Sequence, residues 1–112
     1  MNATTANGEW TDMKMIFKYL LGEDIHHNAV FEIEMPKAAK IMDIQVQSYQ
    51  GRDRAVIWAI VNPKKETRKY VFHIFGTGFE LKEYDKRHYE YVKTVQMGHS
   101  STTAWHIFTV HE

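Results

Sequence analysis

Seven histidines are the side chains of this 112-residue chain best suited to metal ligation or to proton transfer near neutrality. His26 and His27 fall in a loop, His73 and His106 in strand-like runs, and His88, His99 and His111 near the ends of such runs. A metal site carried by one element needs a repeating spacing, such as two histidines on one strand face or His-Glu-x-x-His on a helix. Neither occurs, so no metal ligand is assigned. The absence of cysteine excludes disulfides, thiolate ligands and thiol nucleophiles. The serines are Ser48, Ser100 and Ser101, none in a Gly-x-Ser-x-Gly elbow, and His99 beside Ser100 is adjacency without a relay. Glu32 and Glu34 share a strand face, but alternation turns both to water, so no acid–base pair is assigned to them. The sequence therefore assigns no catalytic residue and implies no cofactor.

Two groups of residues suit binding instead. In Tyr84-Asp85-Lys86-Arg87-His88-Tyr89-Glu90-Tyr91 aromatic and basic side chains interleave, and Lys64 and Lys65 add a second basic cluster. Such interleaving occurs on stacking platforms for single-stranded nucleic acid and at protein interfaces. Glu80, Glu83, Asp85 and Glu90 dilute the positive charge, which favours Tyr84, Lys86, Arg87, Tyr89, Lys64 and Lys65 as protein contacts and argues against nucleic acid. Tyr89 and Tyr91 share a face expected to pack inward. The second group is Arg68, Lys69 and His73 with the turn Gly76-Thr77-Gly78, a possible grip on a phosphorylated small molecule, with Trp58 or Trp105 stacking on a base. It lacks the lysine and following helix of a phosphate loop, and the glycines are equally explained by a tight turn.

The elements that must position these residues read as strands. Nine Ile, eight Val, nine Thr and 15 aromatics stand against three Leu, a vocabulary of β-branched and aromatic side chains that fit a pleated surface. Met13 to Leu20 is ambiguous, since Met13, Ile16, Phe17 and Leu20 also recur at helical spacing, and it is assigned to a strand. Val30 to Met35 alternates with Phe31, Ile33 and Met35 on one face; Lys40 to Tyr49 places Met42, Ile44 and Val46 inward. Ala55 to Val61 is apolar on both faces and is expected to be a central strand covered on each side. Arg68 to Phe75, His88 to Gln96 and Ala104 to Val110 complete about seven short strands, separated by turn-forming clusters such as Asn62-Pro63-Lys64-Lys65 and Gly98-His99-Ser100-Ser101. The expected fold is all-β, a compact single-domain antiparallel β-sandwich or barrel over residues 11–112, preceded by a polar tail over residues 1–10.

Fourteen basic residues balance 14 acidic ones, which removes the usual footprint of a nucleic-acid or anionic-membrane binder. No apolar run approaches the roughly 18 residues of a membrane span, and the start lacks a signal-peptide pattern, so a cytoplasmic protein is expected. A 13.2 kDa chain buries roughly two-thirds of its unfolded surface, enough for a modest core.

Five segments, Met35-Pro36-Lys37-Ala38-Ala39-Lys40-Ile41, Ile57-Trp58-Ala59-Ile60-Val61, Phe75-Gly76-Thr77-Gly78, Tyr91-Val92-Lys93-Thr94-Val95 and Ala104-Trp105-His106-Ile107-Phe108, occur in an order that resembles a group of small proteins of unknown function from bacteriophage and prophage genomes. The resemblance spans about residues 13 to 110. The chain departs from that pattern at Lys93, where such proteins tend to have glycine, and in its longer polar start. The resemblance implies a small all-β domain with a phage accessory role inside the bacterial host, and no activity or catalytic residue. Two functions follow as expectations: a non-enzymatic module that docks on a host protein, for instance an inhibitor of a host defence or regulatory factor, or a binder that sequesters a nucleotide-like signal. A symmetric dimer would be one way to cover exposed sheet edges.

Overall fold

Local alternation becomes seven strands in the computed structural model, which describes residues 13–82, 84–97 and 103–111. They are β1 (Met15–Gly22), β2 (Val30–Pro36), β3 (Lys40–Tyr49), β4 (Arg52–Val61), β5 (Thr67–Gly76), β6 (Tyr89–Gln96) and β7 (Ala104–Val110), and the described residues contain no helix. All pairings are antiparallel. Three strands form one sheet in the order β1-β4-β3 and four form the other in the order β2-β5-β7-β6. The two sheets pack face to face as a sandwich and do not close into a barrel, because β1 lies over β2 and β3 over β6 without joining their ladders. The Met13 to Leu20 segment is a strand from Met15 onward, as the β-branched and aromatic residues at its centre favour. Residues 1–12, Glu83 and the Gly98-His99-Ser100-Ser101 cluster lie outside the described residues.

Side chains on the facing surfaces of both sheets make the core: Leu21, Ile44, Ala55, Ile57, Ala59 and Val61 from one, Met35, Phe72, Ile74, Val95 and Ile107 from the other. Phe31 and Ile33 pack against it from β2, as alternation requires. The β3–β4 hairpin turns through Gln50 and Gly51, both at positive φ (52° and 77°), the pair of left-handed residues that a two-residue turn needs to match the strand twist.

Two β-bulges displace expectations drawn from strict alternation. One lies in β3 between Ile41 and Asp43, the other in β6 between Tyr91 and Lys93. The β3 bulge moves Met42 out of the core, leaving it 50% exposed, while Ile44 and Val46 keep their inward places. In β6, Tyr89 and Tyr91 do not face the core: they lie on the outer surface of the four-stranded sheet, and the extra residue brings Val92 inward. The bulged strands sit at the same side of the sandwich, where Lys93 Nζ reaches Asp43 Oδ1 at 2.9 Å and ties one sheet edge to the other.

The expectation of cover on both faces of the Ala55 to Val61 run is also corrected. β4 is central in its sheet, and Ala55, Ile57, Ala59 and Val61 face the core; on the other face Val56 is buried and Trp58 and Ile60 are half-buried, but no further sheet lies over them among the described residues. A three-stranded sheet in a two-layer sandwich has only one neighbouring sheet, and the second apolar face is shielded from the side by its own neighbours.

Candidate functional site

The strand β5 sets the geometry of most residues that the sequence singles out. Its alternation sends Phe72 and Ile74 into the core and His73 and Phe75 to the opposite face, yet both of the latter are buried. Phe75 is covered by Tyr84 from the segment after β5, and His73 by Tyr89 of β6. Phe79 stacks on His27 at 4.2 Å, and Tyr84 meets Phe75, Tyr89 and Phe108 at 5.5–6.3 Å between ring centres. His73 stacks on Phe75 at 4.4 Å and places Nδ1 3.0 Å from the Tyr89 hydroxyl and Nε2 3.2 Å from Asn28 Oδ1. The outer face of the four-stranded sheet thus holds a second, aromatic core.

The proposed protein contacts divide around this cluster. Tyr84 and Tyr89 touch each other, but Tyr89 is half-buried packing rather than a free anchor. Arg87 is spent on Asp85: its Nε and Nη2 donate to the two carboxylate oxygens at 3.1 and 2.8 Å, and Asp85 also accepts the Arg87 amide. These hydrogen bonds hold the Asp85 carboxyl below the usual range and raise the Arg87 guanidinium. Lys86 is exposed beside them. Lys64 and Lys65 are exposed in the β4–β5 turn, where Asn62 Oδ1 accepts the Lys64 amide at 2.9 Å. Tyr89 is level with Val71 across β7, four residues or roughly 13 Å along β5 from Thr67, so the turn lysines and the tyrosines occupy separate parts of the surface.

The proposed phosphate grip is also distributed rather than gathered. Arg68 and Gly76 stand at opposite ends of β5, roughly 26 Å apart at strand rise. Lys69 faces Glu32 at 3.8 Å, and His73 is buried under the aromatic cluster. Trp105 packs against the core, and Trp58 lies on the outer face of the other sheet. In the turn itself, the Gly76 amide donates to His27 Nδ1 at 3.1 Å and the Thr77 amide to the Ala104 carbonyl at 3.2 Å, so these two of the amides that a phosphate would need are engaged. Gly78 has φ +88°, the turn conformation expected of it. Gly76 has a different reason: a Cβ there would lie 2.8 Å from Trp105 Cζ3 and 2.9 Å from Phe79.

His106 is hydrogen-bonded beside the aromatic cluster. Thr77 Oγ1 donates to the Ala104 carbonyl, so at 2.8 Å it accepts from His106 Nε2; Nδ1 then accepts from Thr94 at 2.9 Å, and Thr94 accepts the Tyr91 hydroxyl at 2.8 Å. Among the described residues no group of three or more His, Asp or Glu side chains is placed to hold a metal ion.

Two surfaces have a shape that the sequence reading missed. A cleft of about 460 Å3 opens at one end of the sandwich, with Ala39, Ile41, Val92 and Val110 in its wall, Arg68 on one side and Glu90 with His111 on the other. Arg68 lies 4.4 Å above the Tyr70 ring, and Tyr70 is fixed by donating to the Pro36 carbonyl and accepting the Ala39 amide. The second surface is the outer face of the three-stranded sheet, over which no sheet lies among the described residues. Register places Ile16, Lys18 and Leu20 of β1 beside Ile60, Trp58 and Val56 of β4, and Ile16 and Leu20 are 58% and 48% exposed. Its signal in the sequence is that Ile16 and Leu20 share the parity of Lys18.

No helix among the described residues is long and apolar enough to cross a membrane. Comparison with curated proteins finds no match, and comparison with solved structures finds none either. A family model described as a domain of unknown function (DUF7352) matches residues 13–112, a span that takes in all seven strands, and the chain belongs to that family.

Proposed function

We propose that this chain is a non-enzymatic protein-binding module of the phage accessory kind, docking on a host protein in the bacterial cytoplasm. The observation that supports this most is the outer face of the β1-β4-β3 sheet, where Ile16, Leu20, Trp58 and Ile60 form an apolar surface with no sheet over it among the described residues. Apolar surface bordered by polar side chains, here Lys40, Gln45 and Gln47, is the usual anatomy of a protein interface, and Lys18, which lies across Trp58, is the side chain that a partner would displace. The Tyr84 to Tyr91 surface becomes the secondary contact, since Arg87 and Tyr89 are already engaged within the chain.

The test is native mass spectrometry of the protein co-purified from its own host's lysate, wild type beside Ile60→Lys and beside Arg87→Ala with Tyr91→Ala. The expected result is one host protein in fixed stoichiometry, lost with Ile60→Lys and kept by the double variant. The reverse pattern moves the interface to the tyrosine surface. A partner retained by every variant removes both assignments.

A sequestering function has one observation in its favour, the Arg68 cleft, whose volume is in the range of small-molecule sites. Titration with nucleoside phosphates, followed by intrinsic fluorescence, checks it. Binding that Arg68→Ala leaves unchanged would show that the cleft is not the site.

A further inference from the structure

We infer that β1 is a pairing edge, and that its occupant is β1 of a second copy of this chain, joining two three-stranded sheets into one of six. This goes beyond the host-docking function and does not depend on it.

Among the described residues the sandwich has four edge strands, and three carry the features that keep an edge from pairing. β2 has Glu32 and Glu34 along it and ends in Pro36. β3 and β6 are each broken by a bulge and are tied to each other through Asp43 and Lys93. β1 has none of these: it is eight residues long, with no acidic residue and no proline, and its register breaks only at the end, between Leu20 and Gly22. Its one charged side chain, Lys18, is turned away from the edge. The ammonium lies 5.5 Å above the Trp58 ring on β4 and extends to Gln47 Oε1 on β3 at 3.5 Å. A lysine that would normally guard this strand instead lies across the sheet behind it.

The net charge of zero removes long-range charge repulsion between copies. A two-fold axis perpendicular to the sheet pairs residues of like face, so the register follows from Lys18. Centring on Lys18 would set two ammonium groups directly opposite, whereas centring on Phe17 or Tyr19 pairs Lys18 with Ile16 or Leu20 of the other copy. The area sets the strength. An eight-residue edge is roughly 26 Å long, and a two-layer sandwich is roughly 16–20 Å thick, so the junction buries on the order of 1,000 Å2 in total, the lower limit for a specific interface. The dimer is therefore weak and reversible.

Sedimentation equilibrium of the full chain across the micromolar range is the experiment. The average mass is expected to rise from 13.2 kDa towards twice that value, and Ile16→Lys with Leu20→Lys, both at exposed positions, is expected to weaken association about tenfold. Single cysteines locate the junction without background, because the chain has none. Lys18→Cys lies roughly 7–8 Å from its own copy across the pair and is linked by a short bis-maleimide. Gln45→Cys on β3, five strand spacings or roughly 24 Å from its copy, is not. A dimer linked through Gln45→Cys means that the outer faces stack, and it overturns the edge pairing. A monomer throughout the range also overturns it, and slow amide exchange in β1 of that monomer would identify the chain's own segment as the cover.

Discussion

Gly76 shows how one missing side chain organises the aromatic half of the molecule. The strand passes so close to Trp105 and Phe79 that a methyl group would sit inside both contact radii. Gly76→Ala is expected to destabilise by about 1–3 kcal/mol, because Trp105 is held by the core while Phe79 must give up its stack on His27. Urea unfolding gives the magnitude, and a loss of near-ultraviolet dichroism without a far-ultraviolet change would place the damage in the aromatic cluster. Ala38 is the opposite case. It holds φ at +63°, a left-handed conformation that costs an alanine about 1–2 kcal/mol. Ala38→Gly relieves that strain but loosens the unfolded chain, so a net gain of about 0.5–1 kcal/mol in the same unfolding measurement is expected. Neither position reveals its role by residue type alone: Gly76-Thr77-Gly78 has the look of an anion turn, and only the spatial neighbours show that Gly76 is about clearance and Gly78 about φ.

Between elements, the bulges of β3 and β6 matter more than their small size suggests. Each inserts one residue, and together they bring Asp43 and Lys93 into contact across the sandwich. The Lys93 ammonium, through its hydrogen bond, is the main reason that the Asp43 carboxyl titrates below its ordinary range, against a smaller opposing effect of burial. A depressed carboxylate stabilises the fold above its unfolded pKa, and that contribution is lost as the pH falls through the folded value. Both side chains are about one-third or more exposed, so the pair is worth only about 0.5 kcal/mol. Lys93→Met should lower the unfolding free energy from urea titration by that amount at pH 7, and the difference should vanish once the solution is acidic enough to protonate Asp43. The strands were legible because the β-branched and aromatic residues alternate over β2, β3 and β5. The bulges were not, since an extra residue leaves no mark on composition and strict alternation then misplaces Met42 and Tyr91. The outer face of β4 was hidden for a related reason: Val56, Trp58 and Ile60 have the same chemistry whether a second layer covers them or a partner does. The candidate residues of the sequence were read from local clusters, whereas the cleft beside Arg68 joins β3, β5, β6 and β7 and the outer face joins β1 to β4.

Across the whole molecule, the order β1-β4-β3 over β2-β5-β7-β6 has an unusual property. β1 and β3 both pair with β4, and β2 pairs with β5, so the first three strands have no partner among themselves. Every backbone ladder that they join is supplied by residues beyond the Gln50-Gly51 turn. A chain divided at that turn would therefore yield a first fragment without any strand pair and a second that keeps its own β5-β7-β6 ladder. Far-ultraviolet dichroism should show no sheet in the first fragment alone and a gain greater than the sum of the parts when the two are mixed. On the ribosome, the same connectivity means that synthesis of the first 50 residues produces three strands that wait: none can be satisfied until β4 has emerged, and the apolar runs of β1 and β3 spend that interval without the strand that will lie between them.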